Sequence, residues 1–118
     1  MERSAIYRTS EQPYVYAVGK DTLRVRLRTR AGDCERVLAH YKNLYDHTSP
    51  FQTVEMKPVL TDGVVTLYEG ELVVPERHFK YWFELTSKGE TLHYTSDGFL
   101  ENVQEHNCFY CPVINSDD

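Results

Sequence analysis

From Thr22 to Arg30 the chain alternates without a break. Leu23, Val25, Leu27 and Thr29 fall on one parity, and Arg24, Arg26, Arg28 and Arg30 on the other. Successive side chains of a strand point to opposite faces, so this stretch predicts a strand with one buried and one wet face. Similar short signals recur, separated by turn chemistry. Tyr14 to Val18 is an apolar run that ends at Gly19-Lys20-Asp21, and Ala31-Gly32-Asp33 closes the arginine strand. Arg36 to Tyr41 and Thr53 to Leu60 are further strands, with Pro58 marking an edge or a bend. Thr61-Asp62-Gly63 predicts a hairpin turn into Val64 to Val74, where Gly70 suggests a bulge or bend. Phe79 to Thr86 turns at Ser87-Lys88-Gly89-Glu90 into Thr91 to Thr95, and Ser96-Asp97-Gly98-Phe99 ends that hairpin. No window holds a helical period. Six or more strands at this spacing predict an all-β fold, an antiparallel immunoglobulin-like β-sandwich. Residues 1–100 are expected to form the sandwich. Residues 101–118 read as a linker or last strand, because the polar run Glu101 to Asn107 gives way to apolar Cys108 to Ile114.

The densest aromatic stretch is Phe79-Lys80-Tyr81-Trp82-Phe83-Glu84-Leu85, reached from Pro75. Alternation sends Phe79, Tyr81 and Phe83 to one face and Lys80, Trp82 and Glu84 to the other. The single tryptophan thus falls among polar residues. Such a side chain suits either a sugar-stacking platform or a sheet face packed against another domain.

Composition narrows the function classes. A chain of 118 residues is one domain, and its formal net charge of -5 argues against a nucleic-acid partner, whose binding rests on phosphate neutralisation. No apolar run is long enough to span a membrane, and the first residues lack the apolar core of a signal peptide. Three cysteines without a disulfide framework favour a reducing compartment and a cytoplasmic location. The arginine stripe could track a polyanion, but acids on neighbouring strands (Glu69, Glu71, Glu84) make a solvated, paired face the better reading. Cys108-x-x-Cys111 with His106 has metal-ligand spacing, yet it is one pair where structural zinc uses four ligands, so no metal site is expected. The five histidines show no nucleophile signature, and no catalytic constellation stands out. The aromatics that remain, with nine tyrosines among them, offer flat faces for the C–H faces of sugars. The loop Asn43 to Pro50 groups Tyr45, Asp46 and His47, so stacking and hydroxyl recognition can coexist there. With Trp82 these are the candidate carbohydrate-binding residues.

The order of several pieces resembles a known family. Ala5-Ile6-Tyr7, Tyr14-Val15-Tyr16, Leu23 to Thr29 and Gly32-Asp33 are followed by Tyr41-x-x-x-Tyr45-Asp46 and Tyr68-Glu69-Gly70-Glu71. Phe79-Lys80-Tyr81-x-Phe83-Glu84-Leu85 and Tyr94-x-x-x-Gly98-Phe99 complete the series. Together they look like the N-terminal module of neopullulanases, cyclomaltodextrinases and maltogenic amylases, which is carbohydrate-binding module family 34 within glycoside hydrolase family 13. The resemblance implies a non-catalytic sandwich joined through Cys108 to Ile114 to a catalytic barrel absent from these residues. It implies α-glucan oligosaccharides as ligands, and a barrel of the same chain or of a dimer partner as the protein contact. Tyr45 matches a loop aromatic that approaches bound sugar in some relatives. No cofactor is expected of the module itself, calcium being a matter for the parent enzyme. Cys108 and Cys111 depart from the family, which often carries aromatics there.

Overall fold

The computed structural model describes residues 1–8, 14–18, 21–73 and 78–111, with the side chain of Cys111 excepted. The expected turn at Gly19-Lys20, the approach from Pro75 and the residues after Cys111 lie outside the described residues. Among the described residues nine strands run in chain order: β1 (Val15–Ala17), β2 (Thr22–Arg30), β3 (Arg36–Asn43), β4 (Gln52–Thr61), β5 (Val65–Val73), β6 (Phe79–Ser87), β7 (Glu90–Thr95), β8 (Gly98–Leu100) and β9 (Phe109–Cys111). All their pairings are antiparallel.

One sheet joins β1, β2, β5 and the second half of β4. The other joins the first half of β4 to β3, β6, β7 and β8, with β9 lying along the start of β6. β4 therefore belongs to both sheets. Its residues 52–56 pair with β3, and from Lys57 onward it pairs with β5. Pro58 sits at the crossing, and the register slips between Pro58 and Leu60. The bend expected at Pro58 is thus present. Of the bulge or bend expected at Gly70, no bulge interrupts the β2–β5 ladder: Gly70 pairs with Val25 in a continuous register. Its missing side chain makes room instead for Met56, whose Cγ would lie 3.0 Å from an added Cβ.

The alternation of β2 sets its faces as read. Leu23, Val25, Leu27 and Thr29 are buried, and they meet Phe79, Tyr81, Phe83 and Leu85 of β6 in one core with Val37, Ala39, Met56, Tyr68 and Leu72. The opposite parity of β2 faces outward. Arg24 reaches Glu71 at 2.5 Å and Arg26 reaches Glu69 at 2.8 Å, both on β5. Arg28 covers the Tyr7 ring at 4.7 Å, and Arg30 pairs with Glu2. The third acid expected to serve this stripe, Glu84, lies in the other sheet and binds His40.

Turn chemistry fixes the hairpins. Asp62 accepts hydrogen bonds from the backbone N–H groups of Val64 and Val65 at the β4–β5 turn. Lys88 and Gly89 both take positive φ (47° and 83°) between Ser87 and Glu90, the backbone of a type I′ turn. Ser96-Asp97 ends the β6–β7 hairpin at Thr95 as expected, and the chain then folds back into a three-residue strand, β8, that was not expected.

Candidate functional site

The loop between β3 and β4 carries three of the four candidate residues. Asn43 Oδ1 accepts from the Tyr45 N–H, and Asp46 Oδ1 accepts from the N–H groups of Ser49 and Thr48 at 2.9 and 3.0 Å. Those backbone bonds hold the Asp46 carboxyl down at about 2. Asp46 therefore rigidifies the loop from within. Tyr45 is 67% exposed, its ring tilted against His78 at 5.4 Å, and the His47 side chain is 70% exposed.

Beneath the loop lies an ionic cluster. Lys42 (β3) and Lys80 (β6) are register partners on the outer face of their sheet, where a charged side chain would normally reach water. Both are almost fully buried here. They donate to Glu105, which sits in a single 3₁₀ turn (Glu105–Asn107) lying over that end of the sheet. Lys42 also donates to the Ser49 carbonyl at 2.8 Å. Lys80, His47 and Lys42 together hold the Glu105 carboxyl at about 2. His47 Nδ1 lies 2.8 Å from Glu105 Oε1 and 3.3 Å from Lys80 Nζ. A carboxylate only accepts and an ammonium only donates, so the contact His47 makes turns on whether Nδ1 carries the proton. The polar parity of β6 thus reads correctly as outward, but Lys80 is covered rather than wet.

Trp82 stands apart from the loop. Its ring stacks on His40 of β3 (centroids 4.2 Å apart, planes 24° from parallel), with the His93 and Phe51 rings edge-on at 5.2 and 6.4 Å. His40 is fixed between Thr53 Oγ1 at 2.9 Å and Glu84 Oε1 at 3.0 Å. Among the described residues the Trp82 N–H is buried without a partner. Trp82 is half-buried and flanked from both neighbouring strands. Tyr45, Asp46 and His47 are brought together; Trp82 lies edge-on to the Phe51 ring, which is 4.7 Å from Lys42 Nζ.

Two participants escaped the sequence. Glu105 is one acid among eighteen, in a polar run that carries no spacing signal. Tyr110, in the apolar tail, is 49% exposed and donates its hydroxyl to the Glu105 carbonyl at 2.9 Å. A lone polar-tipped aromatic in β9 was the available cue. Cys108 is a buried thiol whose surroundings push it up to about 11, the desolvated, unreactive condition of a packing residue. Among the described residues no group of three or more His, Cys, Asp or Glu side chains is placed to hold a metal ion, and no helix is long and apolar enough to cross a membrane.

Residues 1–115 match the family described as alpha amylase, N-terminal ig-like domain. The chain is 30% identical to a cyclomaltodextrinase of Thermoanaerobacter pseudethanolicus over its whole length. It is 31% identical to a cyclomaltodextrinase of Geobacillus thermopakistaniensis over 93% of its length. It spans 21% and 19% of those relatives, about a fifth of each. A solved cyclomaltodextrinase structure superposes on 98% of the chain with a TM-score of 0.89 at 28% identity, using 20% of that protein.

Proposed function

This chain belongs to the family of alpha-amylase N-terminal immunoglobulin-like domains, and from that premise we propose that it is a non-catalytic module that binds α-glucans and mediates dimer contacts for a cyclomaltodextrinase-type hydrolase. One observation carries the glucan-binding reading. The Tyr45 loop presents an exposed aromatic ring and an exposed imidazole on a backbone already fixed by Asn43 and Asp46. A rigid, exposed aromatic beside polar groups loses little freedom on meeting the C–H face of a sugar. His47 and Asp46 supply hydrogen-bonding atoms next to it. Trp82 serves this site from behind, as the stacked support of the sheet on which the loop stands.

A second observation favours a purely structural role without independent sugar affinity. The β4–β5 hairpin exposes Val59, Leu60 and Val64. Exposed apolar side chains on one hairpin suit a protein contact, with the barrel of the same chain or of a dimer partner as the counterpart. Affinity electrophoresis separates the two readings. Retardation of the 118-residue chain in gels containing soluble starch or β-cyclodextrin supports the glucan module. Unretarded migration at every polysaccharide load leaves the structural role alone.

A further inference from the structure

Tyr110 in β9 is 49% exposed, and its hydroxyl reaches the Glu105 carbonyl. We propose that Tyr110 and the Tyr45–His47 loop form two walls of a single α-glucan subsite, tied to each other through Glu105. This rests on the glucan-binding reading and adds to it a residue from a different element.

Two independent paths bring the walls together. Tyr110 donates its hydroxyl to the Glu105 carbonyl at 2.9 Å, while His47 Nδ1 lies 2.8 Å from the Glu105 carboxylate. The Tyr110 hydroxyl and the His47 imidazole therefore both reach the same residue. Separately, Tyr110 is the register partner of Lys80 in the β9–β6 ladder, and Lys80 Nζ lies 3.3 Å from His47 Nδ1. The exposed half of Tyr110 is thus held at the tip by its hydroxyl and at the base by β9. Tyr45 is held by its own backbone bond to Asn43.

The chemistry of the rim selects the ligand. Lys42 and Lys80 turn inward to Glu105 and to the Ser49 carbonyl and are nearly fully buried, so they do not offer charge to a solute. Tyr45, His47 and Tyr110 are exposed, and the partly exposed charge beside them is the carboxylate of Glu105, already engaged by Lys42 and Lys80, together with that of Asp46, engaged by its own loop. Aromatic faces beside carboxylates suit a ligand whose apolar C–H faces alternate with hydroxyls, as in consecutive glucose units, rather than an anion.

The test is titration calorimetry of maltoheptaose with four forms of the 118-residue chain: wild type, Tyr45→Ala, Tyr110→Leu and Tyr110→Phe. Leucine keeps an apolar residue on the strand and removes the flat face; phenylalanine keeps the face and removes the hydroxyl. Near-ultraviolet circular dichroism checks that each form is folded. The expected result is a rise in Kd of about fivefold or more for Tyr45→Ala and for Tyr110→Leu, the low end of what losing one stacked ring costs, with Tyr110→Phe within about twofold of wild type. Unchanged affinity in Tyr110→Leu, with Tyr45→Ala weakened, overturns the two-walled subsite and leaves the glucan module standing. Equal weakening in Tyr110→Phe and Tyr110→Leu overturns the stacking role by making the hydroxyl the active part. No heat or saturation from the wild type removes the glucan reading and this inference with it.

Discussion

At the residue scale, Glu105 draws together the parts of the candidate site. Lys80, His47 and Lys42 lower its carboxyl from the usual 4.5 to about 2. The folded value lies below the unfolded one, so the stabilising effect is complete above about 4.5 and is lost as pH falls through about 2. Glu105→Gln should therefore melt below the wild type at neutral pH, and the gap should close as pH falls from 5 towards 2. A gap independent of pH in thermal melts would assign Glu105 a packing role instead. Leu27 carries the opposite kind of interaction. It is fully buried between the sheets, so Leu27→Ala should cost about 2–5 kcal/mol in denaturant unfolding, and a loss under about 0.5 kcal/mol would mean the β2 register is wrong. This register was legible because a slip of one position would bury four guanidinium groups. The Glu105 cluster was not, since it joins residues 42, 47, 80 and 105, and only folding brings such separated positions together. The cover over Lys80 was hidden for the same reason: alternation gives a side chain its face but not what lies over that face.

At the element scale, local chemistry was legible wherever one rule governed the whole element. The Lys88-Gly89 hairpin is such a case, with both residues at positive φ. Gly89→Ala forces a Cβ into the left-handed region and should cost about 1–2 kcal/mol, whereas Lys88→Asn, a residue that tolerates this conformation, should stabilise the chain slightly. Equal melting temperatures for Gly89→Ala and wild type would contradict the turn type. The rule failed where an element serves two masters. β4 leaves one sheet at Met56 and enters the other at Lys57, so no single alternation describes it; Pro58 marked the bend but not the change of sheet. β8 was missed because three residues, Gly98-Phe99-Leu100, are too few to show a period.

At the scale of the whole molecule, the two outer faces divide the work. One carries the arginine–glutamate ladder and the apolar β4–β5 tip; the other carries Trp82 and, at one end, the Tyr45 loop. Trp82 is flanked on both sides, so the protein contact proposed above is expected at Leu60 and Val64, which are 64% and 72% exposed. Sedimentation should then show self-association that fades on dilution and disappears in Leu60→Lys, while the Trp82 emission stays blue and independent of concentration. A red shift on dilution would move the contact to the Trp82 face. Exposed ion pairs such as Arg24–Glu71 contribute at most about 1 kcal/mol each, so added salt should leave stability nearly unchanged.

If this sandwich holds α-glucan through the Tyr45 loop, calorimetric titration of β-cyclodextrin into wild type and Tyr45→Ala should show saturable binding to the wild type. Binding should weaken by about 1–3 kcal/mol in the variant with the melting temperature unmoved, by analogy with the loss of one aromatic stacked on a base. Saturable binding of equal affinity in both proteins, or no binding to the wild type, would contradict glucan binding through the Tyr45 loop.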